Sequence, residues 1–253
     1  MKLFITGQKG VIGSIIWPRL EKMGHELTGY DLQDGEDILD TERLKAKMAG
    51  HDVVIHLAGI PGPWGLPWAD YEVTNIEGTN SVIKALVANK IERLVYSSSG
   101  AVYGFSTGAT RPLTIPMKEA NPLPPEEELD NYDKSKIMCE QHIEEASKKH
   151  KFTGICLRLN APYPHAAILD YQFFTTISED NLAELFRAAC ETTKFQRYGA
   201  FNAHDRDLHP SVNSEEADAW MKSKYPDVPY TRQGRQPFVD ITKAVKLLGY
   251  DPK

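Results

Sequence analysis

Tyr132 and Lys136 stand four residues apart in ELDNYDKSKIMCEQ, at what reads as the start of a helix. Residues i and i+4 share a helix face, so this phenol and ammonium can address one ligand. An ammonium beside a phenol favours the phenolate and draws its pKa down from about 10, which suits a tyrosine to proton transfer. The same spacing also describes a tyrosine and a lysine on an ordinary solvated helix face. The acidic run around it (Glu126, Glu127, Glu128, Asp130, Asp133) reads as a wet loop and helix start.

A second constellation lies at the N-terminus. TGQKGVIGS places Gly7, Gly10 and Gly13 directly after one apolar run and before a helical one. A turn without side chains lets backbone N–H groups approach a pyrophosphate, and the helix N-terminus adds a favourable dipole. Asp31 ends the next strand, in TGYDL, where a carboxylate can accept hydrogen bonds from adenosine ribose hydroxyls and repel a 2′-phosphate. This predicts NAD rather than NADP. Lys9 works against it, because a basic side chain inside the loop could meet that phosphate. A nucleotide-free domain with a chance aspartate is the competing reading.

The elements that must position these residues alternate. KLFIT (2–6), HELTGYD, DVVIHLAG and RLVYSSS read as strands; IIWPRLEKMG, TERLKAKMAG and NSVIKALVANK read as helices between them. Continuous apolar strands point to a parallel sheet covered on both faces. Pro18 falls inside the first helix and predicts a bend there. Pro112, Pro116, Pro122, Pro124 and Pro125 mark a long irregular excursion before the Tyr/Lys helix. FTGICLRLN is a further strand, with helices expected near 180–192 and over ITKAVKLLGY. The fold class is therefore α/β: a Rossmann-type doubly wound parallel sheet with a small C-terminal substrate-binding annex. Residues 1–162 would form the dinucleotide-binding core, including the Tyr/Lys helix. Residues 163–253 would form a reduced substrate-binding region packed on it, within one compact unit.

Composition narrows the class. The 253 residues are 41% hydrophobic and 25% charged, as in a globular protein, and the net charge of -6 argues against nucleic-acid or anionic-membrane partners. Cys139, Cys156 and Cys190 make neither a disulfide framework nor a metal pattern, and the eight histidines lack metal-ligand spacing. No run approaches signal-peptide or transmembrane length, so a cytoplasmic location is expected.

Seven stretches in register, TGQKGVIGS, DILD, DVVIHLAG, VTNIEGTNSVIKA, LVYSSSGAVYG, NYDKSK and LRLNAP, resemble the extended short-chain dehydrogenase/reductases of the NAD-dependent epimerase/dehydratase group. DITKAVKLLGYDPK is similar to that family's closing helix. The resemblance implies a catalytic set of Ser99, Tyr132 and Lys136. It implies that Gly7, Lys9, Gly10, Ile12 and Gly13 line the pyrophosphate loop, Asp31 holds the ribose, and Asp37 and Ile38 border adenine. Leu57, Ala58, Gly59, Asn75, Ser97, Leu159, Asn160 and Pro162 would complete the cofactor contacts, together with Tyr132 and Lys136. Ser99, Asn160 and Tyr163 would touch substrate. Asn75 could equally bridge helix and backbone. A homodimer is also implied.

The residues around the C-terminal region bear on the substrate. TISEDNLAELFRAA looks like the strand–helix junction of nucleotide-sugar epimerases, but it follows Pro162 closely, which shortens the segment that usually holds the nucleotide. The short tail is more similar to uronate dehydrogenases. PHAAILDYQFF, however, has no arginine for a carboxylate; Asp170, Tyr171 and Gln172 stand there instead. Trp64 and Trp68 could wall a sugar pocket or pack a Pro-rich loop. Arg232 and Arg235 could reach a phosphate or lie in a solvated loop. The resulting expectation is NAD-dependent oxidation or reduction of a small sugar hydroxyl. Nucleotide-sugar 4-epimerisation or dehydration, and a non-catalytic NAD(P)-sensing protein, are the alternatives.

Overall fold

The structure, a computed structural model, describes residues 1–105, 107–163 and 176–253, with the side chains of Ala161 and Tyr163 excepted. Five strands carry the first part of the chain: β1 (Lys2–Thr6), β2 (Glu26–Tyr30), β3 (Val53–His56), β4 (Arg93–Ser99) and β5 (Thr153–Leu159). After a short parallel pair, β6 (Ala161–Tyr163) and β7 (Thr176–Ser178), a further strand, β8 (Gly199–Asn202), completes the main sheet. That sheet is wholly parallel in the order β2-β1-β3-β4-β5-β8. The chain leaves β1 toward β2, then crosses back to place β3 on the other side of β1. The crevice at the strand C-termini therefore opens between β1 and β3, where open α/β sheets bind ligands.

Side chains alternate between two apolar layers. Leu3, Ile5, Val53, Ile55 and Val95 point to the side covered by α1 (Val11–Lys22) and α6 (Glu179–Glu191). Phe4, Val54, Leu94 and Tyr96 point to the opposite layer. There they meet α2 (Thr41–Met48), α4 (Gly78–Ala88), which continues from the single turn α3 (Trp68–Tyr71), and α5 (Asn131–His150). Burial on both faces explains why the strands read as unbroken apolar runs. Pro18 lies inside α1, yet the helix continues to Lys22.

Between α3 and α4 the helix widens to i+5 hydrogen bonding over Glu72–Glu77. Such wide turns commonly mark functional positions, and this one carries Asn75. The Pro-rich excursion after β4 docks on the C-terminal part of the chain. Ile115 N–H donates to the Pro229 carbonyl (2.9 Å) and Met117 N–H to that of Phe238 (2.7 Å). A third apolar cluster, including Val102, Met117, Leu208 and Phe238, fills this annex with help from α7 (Ser214–Lys224). The last helix, α8 (Thr242–Leu248), returns to the main core through Ala244 and Leu248. Sheet and annex thus interleave along the chain.

Arg232 and Arg235 serve the annex. Arg232 is buried, ion-paired with Asp218 and stacked 4.3 Å over Phe238. Arg235 donates to the carbonyls of Leu208 and His209, both at 2.8 Å. Arg232 is thus withdrawn from solvent, whereas Arg235 lies on an exposed loop, with its guanidinium engaged by those carbonyls. No helix among the described residues is long and apolar enough to cross a membrane.

Candidate active site

The glycine loop forms a tight cradle. Gly7 has φ +71°, and a Cβ on it would stand 2.7 Å from the Ala58 nitrogen; one on Gly13 would stand 2.3 Å from the Gln8 carbonyl oxygen. The loop and the end of β3 are thus in backbone contact, with Leu57, Ala58 and Gly59 bordering the crevice. Helix α1 starts from Gly10 with no side-chain cap and no acidic residue in its first turn, and its first main-chain bond runs from Ser14 N–H to the Gly10 carbonyl. The amides of Val11, Ile12 and Gly13 belong to the group that a helix leaves without internal partners, so they suit an anion. Asp31 is nearly buried, its carboxylate held by the Lys9 and Gln33 amides, each at 2.9 Å. A carboxylate has further lone pairs for ribose hydroxyls. This cradle fits a dinucleotide such as NAD.

Other expected contacts vary in exposure. Asp37 is exposed and accepts from the Leu39 amide, while Ile38 is half-buried and would meet a Cβ on Gly78 at 3.1 Å. Ile12 packs on the core, and Leu159 and Pro162 are buried. Asn75 does bridge: its Oδ1 accepts from the Ile60 amide (2.7 Å), and its Nδ2 donates to Ser135 Oγ (2.9 Å). Asn160 Nδ2 donates to the Ala203 carbonyl (3.1 Å), and its Oδ1 occupies the space a Cβ on Gly100 would need. Tyr163 contributes backbone to β6, while its side chain, Asp170, Tyr171 and Gln172 lie outside the described residues.

Tyr132, Ser99 and Lys136 come together at the end of β4. Asp130 caps α5 by accepting from the Asp133 amide (2.9 Å), which sets Tyr132 in the first turn. The Tyr132 phenol is close enough to Ser99 for that hydroxyl to lower its pKa, and Ser99 Oγ accepts from the Ala101 amide (3.1 Å). Lys136 is buried; its Nζ donates to the Ser97 carbonyl (2.9 Å) and Tyr96 hydroxyl (3.2 Å), 5.8 Å from the Tyr132 ring centroid. This is no wet helix face.

The electrostatics correct one expectation. In the protein alone, burial pushes Tyr132 up to about 12, against the lowering by Ser99, with Asp133 and Asp130 adding to the rise. Burial also holds Lys136 below its ordinary value, opposed by Cys139 and Glu140. Desolvation therefore outweighs the pull that Lys136 was expected to exert on the phenol.

The loop after β3 walls the site. Tyr71 donates to the Gly62 carbonyl (2.8 Å), accepts from the Trp64 amide (3.1 Å), and lies 6.2 Å from the Tyr132 ring. Asn131 Nδ2 donates to the Leu66 carbonyl (3.1 Å). Trp64 is 66% exposed on this loop, whereas Trp68 packs against the core. Sequence reasoning missed Tyr96 and Tyr71, whose roles depend on contacts across elements. Among the described residues, no group of three or more His, Cys, Asp or Glu could hold a metal ion.

Comparison with known proteins agrees with this architecture. The chain is 33% identical over 123 residues to L-arabinose 1-dehydrogenase (NAD(P)(+)) of Haloferax volcanii, covering 45% of this chain and 48% of that protein. The chain spans about half the length of the curated relatives it matches. Two solved structures share the fold over 100% of this chain. One is glucuronic acid dehydrogenase from Chromohalobacter salexigens (TM-score 0.72, 19% identity, 84% of that chain). The other is UDP-glucuronic acid 4-epimerase from Bacillus cereus in complex with NAD (TM-score 0.73, 23% identity, 94% of that chain). The profile of the NAD dependent epimerase/dehydratase family matches residues 3–173, and the chain belongs to that family.

Proposed function

We propose that this chain is an NAD-dependent oxidoreductase acting on a hydroxyl of a small sugar or sugar derivative. The observation that carries the reading is the cluster of half-buried Ser99 with buried Tyr132 and Lys136 at the strand ends, beside a cradle shaped for a dinucleotide. Bound NAD supplies the acceptor for the hydride that leaves the substrate carbon.

The chain's own residues handle the proton and the geometry. Tyr132 takes the proton of the substrate hydroxyl, or returns it in the reverse direction. Ser99 aligns that hydroxyl with the phenol oxygen. Lys136 supplies positive charge near the phenol, and burial keeps bulk water from competing for the proton. Tyr132, raised to about 12 in the protein alone, needs added positive charge to ionise near neutrality, and an oxidised nicotinamide brings one.

The test is absorbance of the reduced dinucleotide with purified protein, NAD and a panel of free sugars, uronates and UDP-sugars. Accumulation with a free sugar, lost in Tyr132→Phe, supports the reading. Interconversion of a UDP-sugar without accumulation would replace it with 4-epimerisation. Unchanged turnover in Tyr132→Phe would remove Tyr132 from the chemistry.

A further inference from the structure

Asp34 stands three residues beyond Asp31, in the tight turn Leu32–Asp34 that follows β2 and closes on Gly35 at φ +71°. The two carboxylates clasp the glycine loop at the same residue. Asp31 accepts from the backbone amide of Lys9, while Asp34 forms an ion pair with its ammonium. The other oxygen of Asp34 accepts from Gln8 Nε2 (3.3 Å). Gln8 reaches it by lying across Gly29, where a Cβ would come within 2.4 Å of the Gln8 amide carbon. The turn, the glycine and the glutamine together set Asp34 against Lys9.

Beside this pair opens a cavity of about 660 Å³, lined by Gln8, Lys9, Trp17, Gly29, Gln33 and Asp34. It adjoins Asp31, the residue fitted to the adenosine ribose. Asp34 and Lys9 line it, and the Asp31 carboxylate lies just behind, bound to the amides of Lys9 and Gln33. A phosphate on the ribose 2′ oxygen would bring further negative charge into this space and would have to compete with Asp34 for the lysine.

We infer that Asp34 determines dinucleotide choice: it holds Lys9 away from a 2′-phosphate and adds its own repulsion, so the site takes the non-phosphorylated adenosine. The inference rests on the NAD reading above and resolves the conflict between Asp31 and Lys9. Lys9 and Asp34 are 43% and 41% exposed in their side chains, so the pair is partly screened by solvent and salt. The effect on selectivity is correspondingly moderate, about five- to tenfold.

Calorimetric binding to the whole chain tests this without a substrate. The ligands are 5′-AMP, adenosine 2′,5′-bisphosphate, NAD and NADP; the proteins are wild type, Asp34→Asn, Lys9→Met and the double variant. In Asp34→Asn, affinity for the two 2′-phosphorylated ligands should rise about five- to tenfold, with NAD and AMP changing less than about twofold. Added salt should shrink the gain, and Lys9→Met in the Asp34→Asn background should erase it. An unchanged ratio of NADP to NAD affinity in Asp34→Asn would overturn the inference. A gain that survives in the double variant would overturn the part assigned to Lys9. If wild type binds none of the four ligands, the NAD reading itself fails, a result distinct from lost selectivity.

Discussion

The ammonium nitrogen of Lys136 stands 3.2 Å from the phenol oxygen of Tyr96, a ring packed in the core. A lysine ammonium has three donors. Tyr96 and the Ser97 carbonyl take two, which leaves one for the ligand side. Burial raises the pKa of Tyr96 far above the ordinary value, with Cys139 adding to the rise, so it remains a neutral phenol. It acts as a positioning residue: it sets where the charge of Lys136 sits relative to Tyr132.

Tyr96→Phe should therefore lower turnover about tenfold or more while leaving the KM for NAD nearly unchanged. The stability loss should be about 1 kcal/mol, that of one buried hydrogen bond. Ultraviolet difference titration should show a shifted Tyr132 ionisation in the NAD complex. Equal kcat in the two proteins would mean that Ser97 alone positions the lysine.

Local spacing pointed to part of this site but left the Tyr132–Lys136 pair open between catalysis and a solvated face, and Ser99 entered only through the family resemblance. The glycine loop, Asp31 and the Tyr132–Lys136 pair are each set within a few residues or at a strand end, and backbone geometry does the rest. Tyr96 sits in a strand that reads only as apolar filler, and its contact with Lys136 spans forty residues. Asn75 supported two readings because one amide can serve either role; the bridge to Ile60 and Ser135 depends on tertiary contacts. The pKa of Tyr132 depends on desolvation, which no spacing reveals. Helix α7 was not foreseen, since only Ala217 and Met221 of its eleven residues are buried, too thin an apolar stripe for periodicity to detect.

Glu140 and Arg158 form a second relationship that sequence could not supply. Arg158 donates to Glu140 through Nε (3.1 Å) and Nη2 (2.8 Å), while Ser98 Oγ donates to Glu140 Oε1 (2.6 Å). Arg158 Nη1 also donates to the Tyr103 hydroxyl (2.7 Å), which joins the sheet to the annex. Both charged residues are buried. Removing either partner strands the other charge, so Glu140→Ala and Arg158→Met should each cost about 3–5 kcal/mol. The double variant should cost clearly less than the sum. Urea unfolding of the four proteins gives the coupling. Additive losses, or single losses below about 1 kcal/mol, would show that the pair is not coupled in the folded state.

His56 makes stability depend on pH. The ring is fully buried between Thr6 Oγ1 (2.8 Å from Nδ1) and Thr79 Oγ1 (3.0 Å from Nε2). Burial, with a smaller contribution from the nearby Lys136 charge, lowers its pKa from 6.5 to about 3. In the unfolded chain the imidazole takes up a proton below 6.5, while in the folded protein it stays neutral down to about 3. The unfolded state thus binds more protons across that window, and stability rises with pH there. Its contribution is fully present above 6.5 and is lost at about 1.4 kcal/mol per unit as pH falls toward 3. His204, lowered to about 4 by burial, adds a similar loss over a narrower window. His56→Gln should be less stable than wild type at neutral pH, through lost packing and altered hydrogen bonds. Its stability should fall less steeply on acidification, because one of the buried histidines no longer titrates. Urea midpoints across this range measure both slopes. Parallel profiles for wild type and His56→Gln would mean that His56 charges as readily in the folded protein as in the unfolded chain.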